Sequence, residues 1–390
     1  MPTRIWTLTD VFEDVYVDQL AITPHDVGGA AHGYLVRKQR LHGGRREGVD
    51  LIEVDNGRLR FSIVPTRGMG IWRASCEGVE LGWRSPVHGP VHPHFVPLSE
   101  PTGLGWLAGF DELVCRCGLE SNGAPVFDGA GRLQYGLHGR IANLPAHHVQ
   151  VAIDGDRGEI AVSGVVDESR LYHTKLRLIS TVRTRVGSST LEITDEVVNC
   201  SAEPAELSLL YHINFGAPLL EEGARAVVPI ETLVPCNARA VEGLATWDRY
   251  GPPQAGFDEQ VYFCRLAADA DGATGALLHS AAGDRGVRLG FNRTQLPWFT
   301  IWKSTQMPSD GYVTGLEPGT NLPNDRVFEA GQGRLVPLAG GERRTFELAI
   351  ECLTTQDNVA AAERSLQQLA GTKPPEICPQ PEPGWSAQAS

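Results

Sequence analysis

The sequence lacks the features that mark several large functional classes. It has no cluster of Lys or Arg, and its 34 basic residues stand against 47 acidic ones, a net charge of −13. Nucleic acid and anionic membrane surfaces are bound through basic patches, so neither is an expected partner. No apolar run approaches the roughly 20 residues of a membrane-spanning helix. The first 20 residues hold four acidic groups instead of the apolar core of a signal peptide.

Metal-binding and nucleotide-binding motifs are also missing. The eight cysteines form no Cys-x-x-Cys pair and no regular framework, which favours reduced thiols in a cytoplasmic protein. The pairs His92/His94 and His147/His148 lack further ligands at a recognised spacing. There is no Gly-rich phosphate loop, no G-x-S-x-G elbow and no kinase signature. We therefore expect neither a metal nor another cofactor.

Short strands separated by turns dominate what is present. The 44 glycines and 26 prolines suit a turn-rich β protein, and residues 175–178 and 191–194 alternate polar and apolar side chains as half-buried antiparallel strands do. Later strands are predicted at residues 260–266, 274–280, 287–291, 298–303 and 346–353. One helix is predicted, beginning after Thr355 and ending at Gly371. These features predict an all-β fold, a single antiparallel β-sandwich domain over residues 1–371 with a Pro-rich tail at 372–390.

Residues 88–123 interrupt this pattern. They are rich in Gly, Pro, His and Trp and show no clear periodicity. A long irregular segment inside a compact domain is usually functional.

Three other short segments gather ionisable side chains next to turns. His138 stands beside Gly139, whose small size would let a ligand approach the imidazole, and Arg140 follows with a guanidinium suited to hydroxyls or an anion. A surface histidine in a turn is the alternative interpretation. His212 and Asn214 lie two residues apart, which places them on one face of a strand, although a histidine bonded within the core would fit as well.

Glu317 is the third candidate. It follows an apolar strand and precedes Pro318, so we predict it at a strand end. The apolar and aromatic neighbours expected around it (Trp298, Trp302, Tyr312 and Leu322) would raise its pKa from about 4.3 toward neutrality. Such a carboxylate suits a general base, whereas a simple rim carboxylate is the alternative.

Taken together, the segments resemble the aldose 1-epimerase (galactose mutarotase-like) superfamily. LHG at 137–139 resembles its first-histidine element, YHINFG at 211–216 its second-histidine strand, and GLEP at 315–318 its catalytic glutamate segment, followed by NLPN at 321–324. The likeness extends over about residues 51–353 and is nearest to an uncharacterised branch, a domain of unknown function. It includes no counterpart of the family's substrate-binding aspartate, and the segment GFDELVCRCGLESNG is absent from simple galactose mutarotases.

The resemblance implies a β-supersandwich that holds a sugar on one sheet and changes its configuration at C1 without a cofactor. Glu317 would be the base and His212 the acid, with His138 assisting at the ring oxygen. The implied substrate-binding residues are Arg67, Arg140, Asn214, Trp302, Lys303 and Asn321. The sequence identifies neither the sugar, nor whether it is phosphorylated, nor the oligomeric state.

Three other functions stay open at this point. The same acid and base could serve an isomerase or epimerase of a modified sugar, or the scaffold could bind a sugar without catalysis. A lyase or hydrolase would need a second carboxylate, for which Asp111 and Glu112 are the nearest candidates.

Overall fold

Strands account for most of the regular structure. The computed structural model describes residues 3–389, and within them the chain forms 26 strands and four α-helices. The first thirteen strands are β1 (Arg4–Asp10), β2 (Val15–Tyr16), β3 (Leu20–Ile22), β4 (Leu35–Arg40), β5 (Asp50–Asp55), β6 (Leu59–Val64), β7 (Gly70–Cys76), β8 (Val79–Leu81), β9 (Val114–Leu119), β10 (Val126–Phe127), β11 (Leu133–Tyr135), β12 (His148–Asp154) and β13 (Glu159–Ser169).

The second half of the chain continues in the same way. Its strands are β14 (Lys175–Arg185), β15 (Thr190–Asn199), β16 (Ala205–Phe215), β17 (Arg225–Val227), β18 (Ile230–Pro235), β19 (Gln260–Leu266), β20 (Ala273–His279), β21 (Gly286–Asn292), β22 (Trp298–Thr305), β23 (Tyr312–Gly319), β24 (Val336–Leu338), β25 (Arg343–Leu353) and β26 (Glu376–Ile377). The helices are α1 (Pro24–Val27), α2 (Ala238–Glu242), α3 (Arg326–Gly331) and α4 (Gln356–Ala370).

Two large sheets hold nearly all of these strands. The first has ten strands in the order β17-β20-β21-β25-β15-β14-β13-β12-β1-β2. The second has fourteen and runs β26-β18-β19-β22-β23-β16-β9-β7-β6-β5-β4-β3, with β24 on β16 and β8 on β7. Neighbours are antiparallel except β18 and β26, so the predicted antiparallel sandwich is confirmed.

The main core lies between the two sheets. Alternate side chains of the long strands fill it, among them Val162 and Ile193 from the first sheet and Leu209 and Ile213 from the second. The other face of the second sheet carries a smaller aromatic and cysteine cluster. Because successive residues of a strand face opposite sides, one strand such as β16 serves both layers.

Helix α4 begins and ends where the sequence predicts. Thr355 is its N-cap and accepts a hydrogen bond from the backbone N–H of Asn358, and Gly371 follows its last residue. Val359 and Leu366 pack against Leu277 of β20. None of the helices in residues 3–389 combines the length and apolar character that crossing a bilayer requires.

The Pro-rich tail lies against the second sheet. The ring of Trp385 packs edge-on to that of Trp298, with centroids 5.0 Å apart, and the Ser386 hydroxyl donates to the backbone oxygen of Cys236. The tail is thus fixed by side chains of β22 and by the residue that follows β18.

Residues 88–123 contain more order than the sequence indicates. Two short 3₁₀ helices occupy Pro93–Phe95 and Gly105–Gly109, and β9 follows within the segment and pairs with β16. The expectation of a wholly irregular segment is wrong for β9, because that strand is buried on both faces and shows no alternation.

Candidate active site

His212 and Glu317 face each other across two adjacent strands. β16 and β23 pair Ile213 with Leu316, and this register sets His212 opposite Glu317 on the face turned away from the main core. Nε2 of His212 lies 3.2 Å from Oε1 of Glu317. The two residues are only 5% and 2% exposed, so the pair sits in a largely water-excluded site.

Asn214 fixes the His212 ring. Its Nδ2 donates to the backbone oxygens of Glu112 and His212, at 2.9 and 3.2 Å. Its Oδ1 is therefore the atom that accepts from Nδ1–H of His212, at 2.6 Å. Nδ1 keeps its proton, and Nε2, which faces Glu317, is the nitrogen that gains and loses one. The prediction that His212 and Asn214 share a face is confirmed.

Burial decides where the proton of this pair resides. Desolvation, with a smaller contribution from the charge of Glu259, raises the pKa of Glu317 well above its usual value. Desolvation and the neighbouring His138 hold the pKa of His212 well below its usual value. The pair therefore favours a protonated carboxyl beside a neutral imidazole.

Glu317 lies inside β23, which continues to Gly319, so the predicted strand-end position is wrong. The carboxyl folds back over Gly315, two residues earlier on the same face, where a Cβ would come within 2.1 Å of Oε1. The 3.2 Å contact with His212 is not aligned for hydrogen bonding. Oε1 consequently has no hydrogen-bond partner within residues 3–389, and it is free to accept one from a ligand.

His138 approaches the pair from the loop that follows β11. Its ring lies 5.4 Å from that of His212, centroid to centroid. Nδ1–H donates to the backbone oxygen of Asn122 at 2.9 Å, which leaves Nε2 as the acceptor. Burial lowers the pKa of His138 to about 4, so the ring is neutral at pH 7.

The loop around His138 is held by the protein itself. Asn122 and Asn321 exchange two side-chain hydrogen bonds, at 3.0 and 2.9 Å. The space left by Gly139 is filled by backbone oxygens, since a Cβ there would lie 2.1 Å from the oxygen of Ser121. The small residue therefore serves loop packing and not the approach of a ligand to His138.

Aromatic rings surround the three ionisable side chains. Trp106 and Phe110 come from residues 88–112, the part of the 88–123 stretch that precedes β9 (the 88–112 segment). Their rings lie 4.6 Å from that of His138 and 4.9 Å from that of His212, respectively. The ring of Trp302 lies 5.3 Å from that of His212, centroid to centroid. Its indole N–H donates to the Glu259 carboxylate at 2.6 Å.

Arg67 lies beneath the 88–112 segment and is fully buried. Its guanidinium donates to the carboxylate of Glu112 at 2.5 Å, to the Asn143 side-chain oxygen at 2.8 Å, and to the backbone oxygens of Val91 and Gly109. These bonds occupy the guanidinium with protein acceptors.

Lys303 and Arg140 contact other groups of the protein. Lys303 follows Trp302 on β22 and so faces the opposite side of the sheet, where its Nζ donates to the backbone oxygens of Thr246 and Arg249, both at 2.7 Å. The guanidinium of Arg140 is partly exposed, and its Nε lies 3.7 Å from the buried carboxyl of Glu168.

Four residues of the site were not identified from the sequence: Trp106, Phe110, Asn122 and Glu259. The first three belong to the 88–123 segment, whose composition was the available signal. Glu259 precedes β19 in an exposed loop, and only its contact with Trp302 reveals it. No group of three or more His, Cys, Asp or Glu side chains suited to a metal ion occurs within residues 3–389.

Comparisons with known proteins place the chain in a family. Residues 46–352 match the model of a domain of unknown function, DUF4432. A candidate aldose 1-epimerase from Klebsiella pneumoniae is 35% identical, with a TM-score of 0.94 over 97% of this chain and 98% of that one. A comparison with curated proteins gave no match.

More distant solved structures share the fold. A galactose mutarotase-like protein from Clostridium acetobutylicum is 17% identical with a TM-score of 0.56, over 82% of this chain and 98% of that one. Galactose 1-epimerase from Lactobacillus acidophilus is 12% identical with a TM-score of 0.54, over 81% and 98%. The expected supersandwich is thereby confirmed. The chain belongs to the DUF4432 family, a branch of the galactose mutarotase-like superfamily.

Proposed function

We propose that this protein is a carbohydrate epimerase that interconverts sugar anomers at C1, with Glu317 and His212 as its proton-transfer pair. The observation that carries the proposal is the buried carboxyl and imidazole held 3.2 Å apart, with one carboxyl oxygen left unpartnered. The fold shared with galactose mutarotase-like proteins supports it.

The reaction needs only proton transfers. Glu317, as the carboxylate, removes the proton from the O1 hydroxyl while the C1–O5 bond breaks. O1 and C1 form the aldehyde, the bonding pair stays on O5, and O5 takes the proton from Nε2 of His212. Rotation about C1–C2 presents the other face of the aldehyde, and the reverse transfers close the ring to the other anomer.

The protonation state that the pair favours is the one from which ring closure starts. A protonated Glu317 and a neutral His212 are the forms that ring opening produces and from which ring closure starts. Ring opening needs the same single proton on the imidazole instead of on the carboxyl. Asn214 Oδ1 stabilises the imidazolium through Nδ1–H.

The residues around the His212–Glu317 pair have different roles in the proposed reaction. His138 offers its Nε2 as an acceptor for a sugar hydroxyl, and the ring of Trp302 provides a stacking surface. Glu259, held by Trp302, is a carboxylate that can bind sugar hydroxyls, a task for which the resemblance identifies no aspartate. Asn214 and Asn321 act by holding His212 and the His138 loop.

The test is an NMR anomer-exchange assay on a panel of aldoses, ketoses and their 6-phosphates. Glu317→Gln should abolish exchange, because it removes the base with little change in volume. Glu168→Gln is the matched control: Glu168 is also a buried carboxyl, with its pKa raised by burial to about 7, but it lies on β13 in the first sheet. It should retain most of the exchange.

The outcomes separate the proposed function from its alternatives. Exchange that survives in Glu317→Gln would show that Glu317 is not the base. No exchange with any sugar, combined with binding of one, would favour the modified-sugar isomerase or a binding protein, and product analysis of the bound sugar would distinguish these two.

A further inference from the structure

Trp106 lies where the proposed reaction takes place. It belongs to the 3₁₀ helix Gly105–Gly109. Its ring lies edge-on to that of His138 at 4.6 Å and is 6.2 Å from that of His212. Phe110 packs against it at 4.7 Å, so the indole is part of the wall around both histidines.

The backbone on both sides of Trp106 is closely packed. A Cβ on Gly105 would lie 1.9 Å from the backbone oxygen of Pro97, and one on Gly109 would lie 2.6 Å from Nη1 of Arg67. Arg67 in turn donates to the Gly109 oxygen at 2.9 Å. The indole is therefore presented from a firmly positioned turn, as a binding group must be.

The indole N–H of Trp106 has no acceptor. Trp106 is 2% exposed, and its Nε1 has no hydrogen-bond partner within residues 3–389. A buried Trp N–H normally finds an acceptor, because leaving it unpaired is unfavourable. Glu317 Oε1 is a second unpaired buried atom of the same site. One is a donor and the other an acceptor, a combination that a molecule bearing several hydroxyls can satisfy.

We propose that Trp106 is a substrate-binding and specificity-determining residue, whose indole N–H donates a hydrogen bond to one oxygen of the sugar. The inference rests on the proposed epimerase function and adds the residue that selects among sugars. A sugar that lacks the matching oxygen would leave the N–H unpaired and bind less well, since sites built to hydrogen-bond a hydroxyl discriminate strongly against its absence.

The first test observes the indole directly. In the full-length protein labelled with ¹⁵N-tryptophan, the Trp106 Nε1–H signal is assigned by its loss in Trp106→Phe. Adding aldoses that the protein turns over should move this signal downfield. The Trp385 signal, assigned by Trp385→Phe, should stay in place, because Trp385 packs on Trp298 in the tail.

The second test uses single-deoxy sugars. Trp106→Phe should raise KM about tenfold for the parent sugar, the size expected for one lost hydrogen bond. For the one deoxy sugar that lacks the partner oxygen, wild type and Trp106→Phe should have equal KM. Trp385→Phe should keep the parent KM.

Different results would contradict the role of Trp106 and the proposed epimerase function. Glu317-dependent exchange with an unmoved Trp106 signal, or with the same Trp106→Phe penalty on every deoxy sugar, would overturn this inference and leave the epimerase function standing. A sugar that moves the signal without being exchanged would overturn the function and keep the binding role. If no sugar moves the signal or is exchanged, both are wrong.

Discussion

At the scale of single residues, the absence of one methyl group makes room for the Glu317 carboxyl. A Cβ on Gly315 would lie 2.1 Å from Oε1 of Glu317 and 3.2 Å from Cε1 of His212. Gly315→Ala should therefore displace both groups. We expect kcat/KM for anomer exchange to fall about 100-fold, the effect of a misplacement near 1 Å, while the free energy of unfolding changes by less than about 2 kcal/mol.

Gly290→Ala is the control for this prediction. Gly290 also lies within a strand, β21, but a Cβ there would meet nothing within 4 Å. It should leave both exchange and stability close to wild type. Full activity in Gly315→Ala would mean that the carboxyl works from another position.

Glu259 gives a prediction about pH. Its negative charge raises the pKa of Glu317, after the larger effect of burial. Glu259→Gln removes that charge, so Glu317 ionises at lower pH. The pair holds the single proton that the reaction needs only below the pKa of Glu317, so the alkaline limb of the pH profile of kcat/KM should move to lower pH. The glutamine oxygen can still accept from the Trp302 indole.

The pH profile of kcat/KM also tests which protonation state of the Glu317–His212 pair is active. If the reaction instead needed Glu317 ionised and no proton on His212, activity would be lost on the acidic side, and Glu259→Gln would move that limb. An alkaline limb that stays in place in Glu259→Gln would show that Glu317 does not set it.

Local spacing predicts some of these residues and misses others. The i, i+2 relation of His212 and Asn214 predicts a shared face because strand geometry alone decides it. The environment of Lys303 depends on carbonyl groups more than 50 residues away in sequence. That of Arg67 depends on three separate stretches of chain, at Val91, at residues 109–112 and at Asn143. Sequence order gives no information about such partners.

At the scale of elements, a buried cation helps to hold the 88–112 segment in place. Arg67 joins Gly109 and Val91 of the segment to Glu112 and Asn143. Arg67→Lys keeps the charge but cannot reproduce the planar set of donors. We expect faster amide hydrogen exchange in residues 89–110, and a fall of about 10-fold or more in kcat/KM, because Trp106 and Phe110 lose their fixed positions.

Arg73→Lys is the matched control. Arg73 is exposed and lies over the ring of Trp72, 4.1 Å from its centroid. It should alter neither hydrogen exchange nor turnover. Unchanged exchange of residues 89–110 in Arg67→Lys would show that other contacts hold the segment.

Helices and strands that carry a cap, a periodic pattern or a terminal glycine in the local sequence were predicted, and elements without such a signal were not. Helix α4 has a cap, an apolar stripe and a terminal glycine, and β19 matches its predicted range of 260–266. The short helices α1, α2 and α3 have four to six residues, too few for a periodic pattern. β9 is buried on both faces, so its sequence resembles neither an alternating strand nor a loop.

At the scale of the whole molecule, a buried ion pair connects the two sheets. Arg116 of β9 and Asp195 of β15 are both fully buried and bonded through two nitrogen–oxygen contacts, at 2.5 and 3.0 Å. The hydroxyls of Ser180 and Tyr211 complete their hydrogen bonding. The sequence shows Arg116 between two cysteines and gives no sign of a partner 79 residues away.

The Arg116–Asp195 pair gives a prediction about stability that does not involve the proposed reaction. Asp195→Asn leaves the Arg116 charge buried without its counter-ion, which should cost about 3–5 kcal/mol in urea unfolding. Asp167→Asn removes the partner of Arg177 in a half-exposed pair on β13 and β14, and should cost about 0–1 kcal/mol. Activity per folded molecule should match wild type in both variants, because β9 turns Arg116 toward the core and its neighbouring cysteines toward the site. Equal stability of the two variants would mean that the Arg116 charge finds another partner or water, and that packing of the sheets does not depend on this pair.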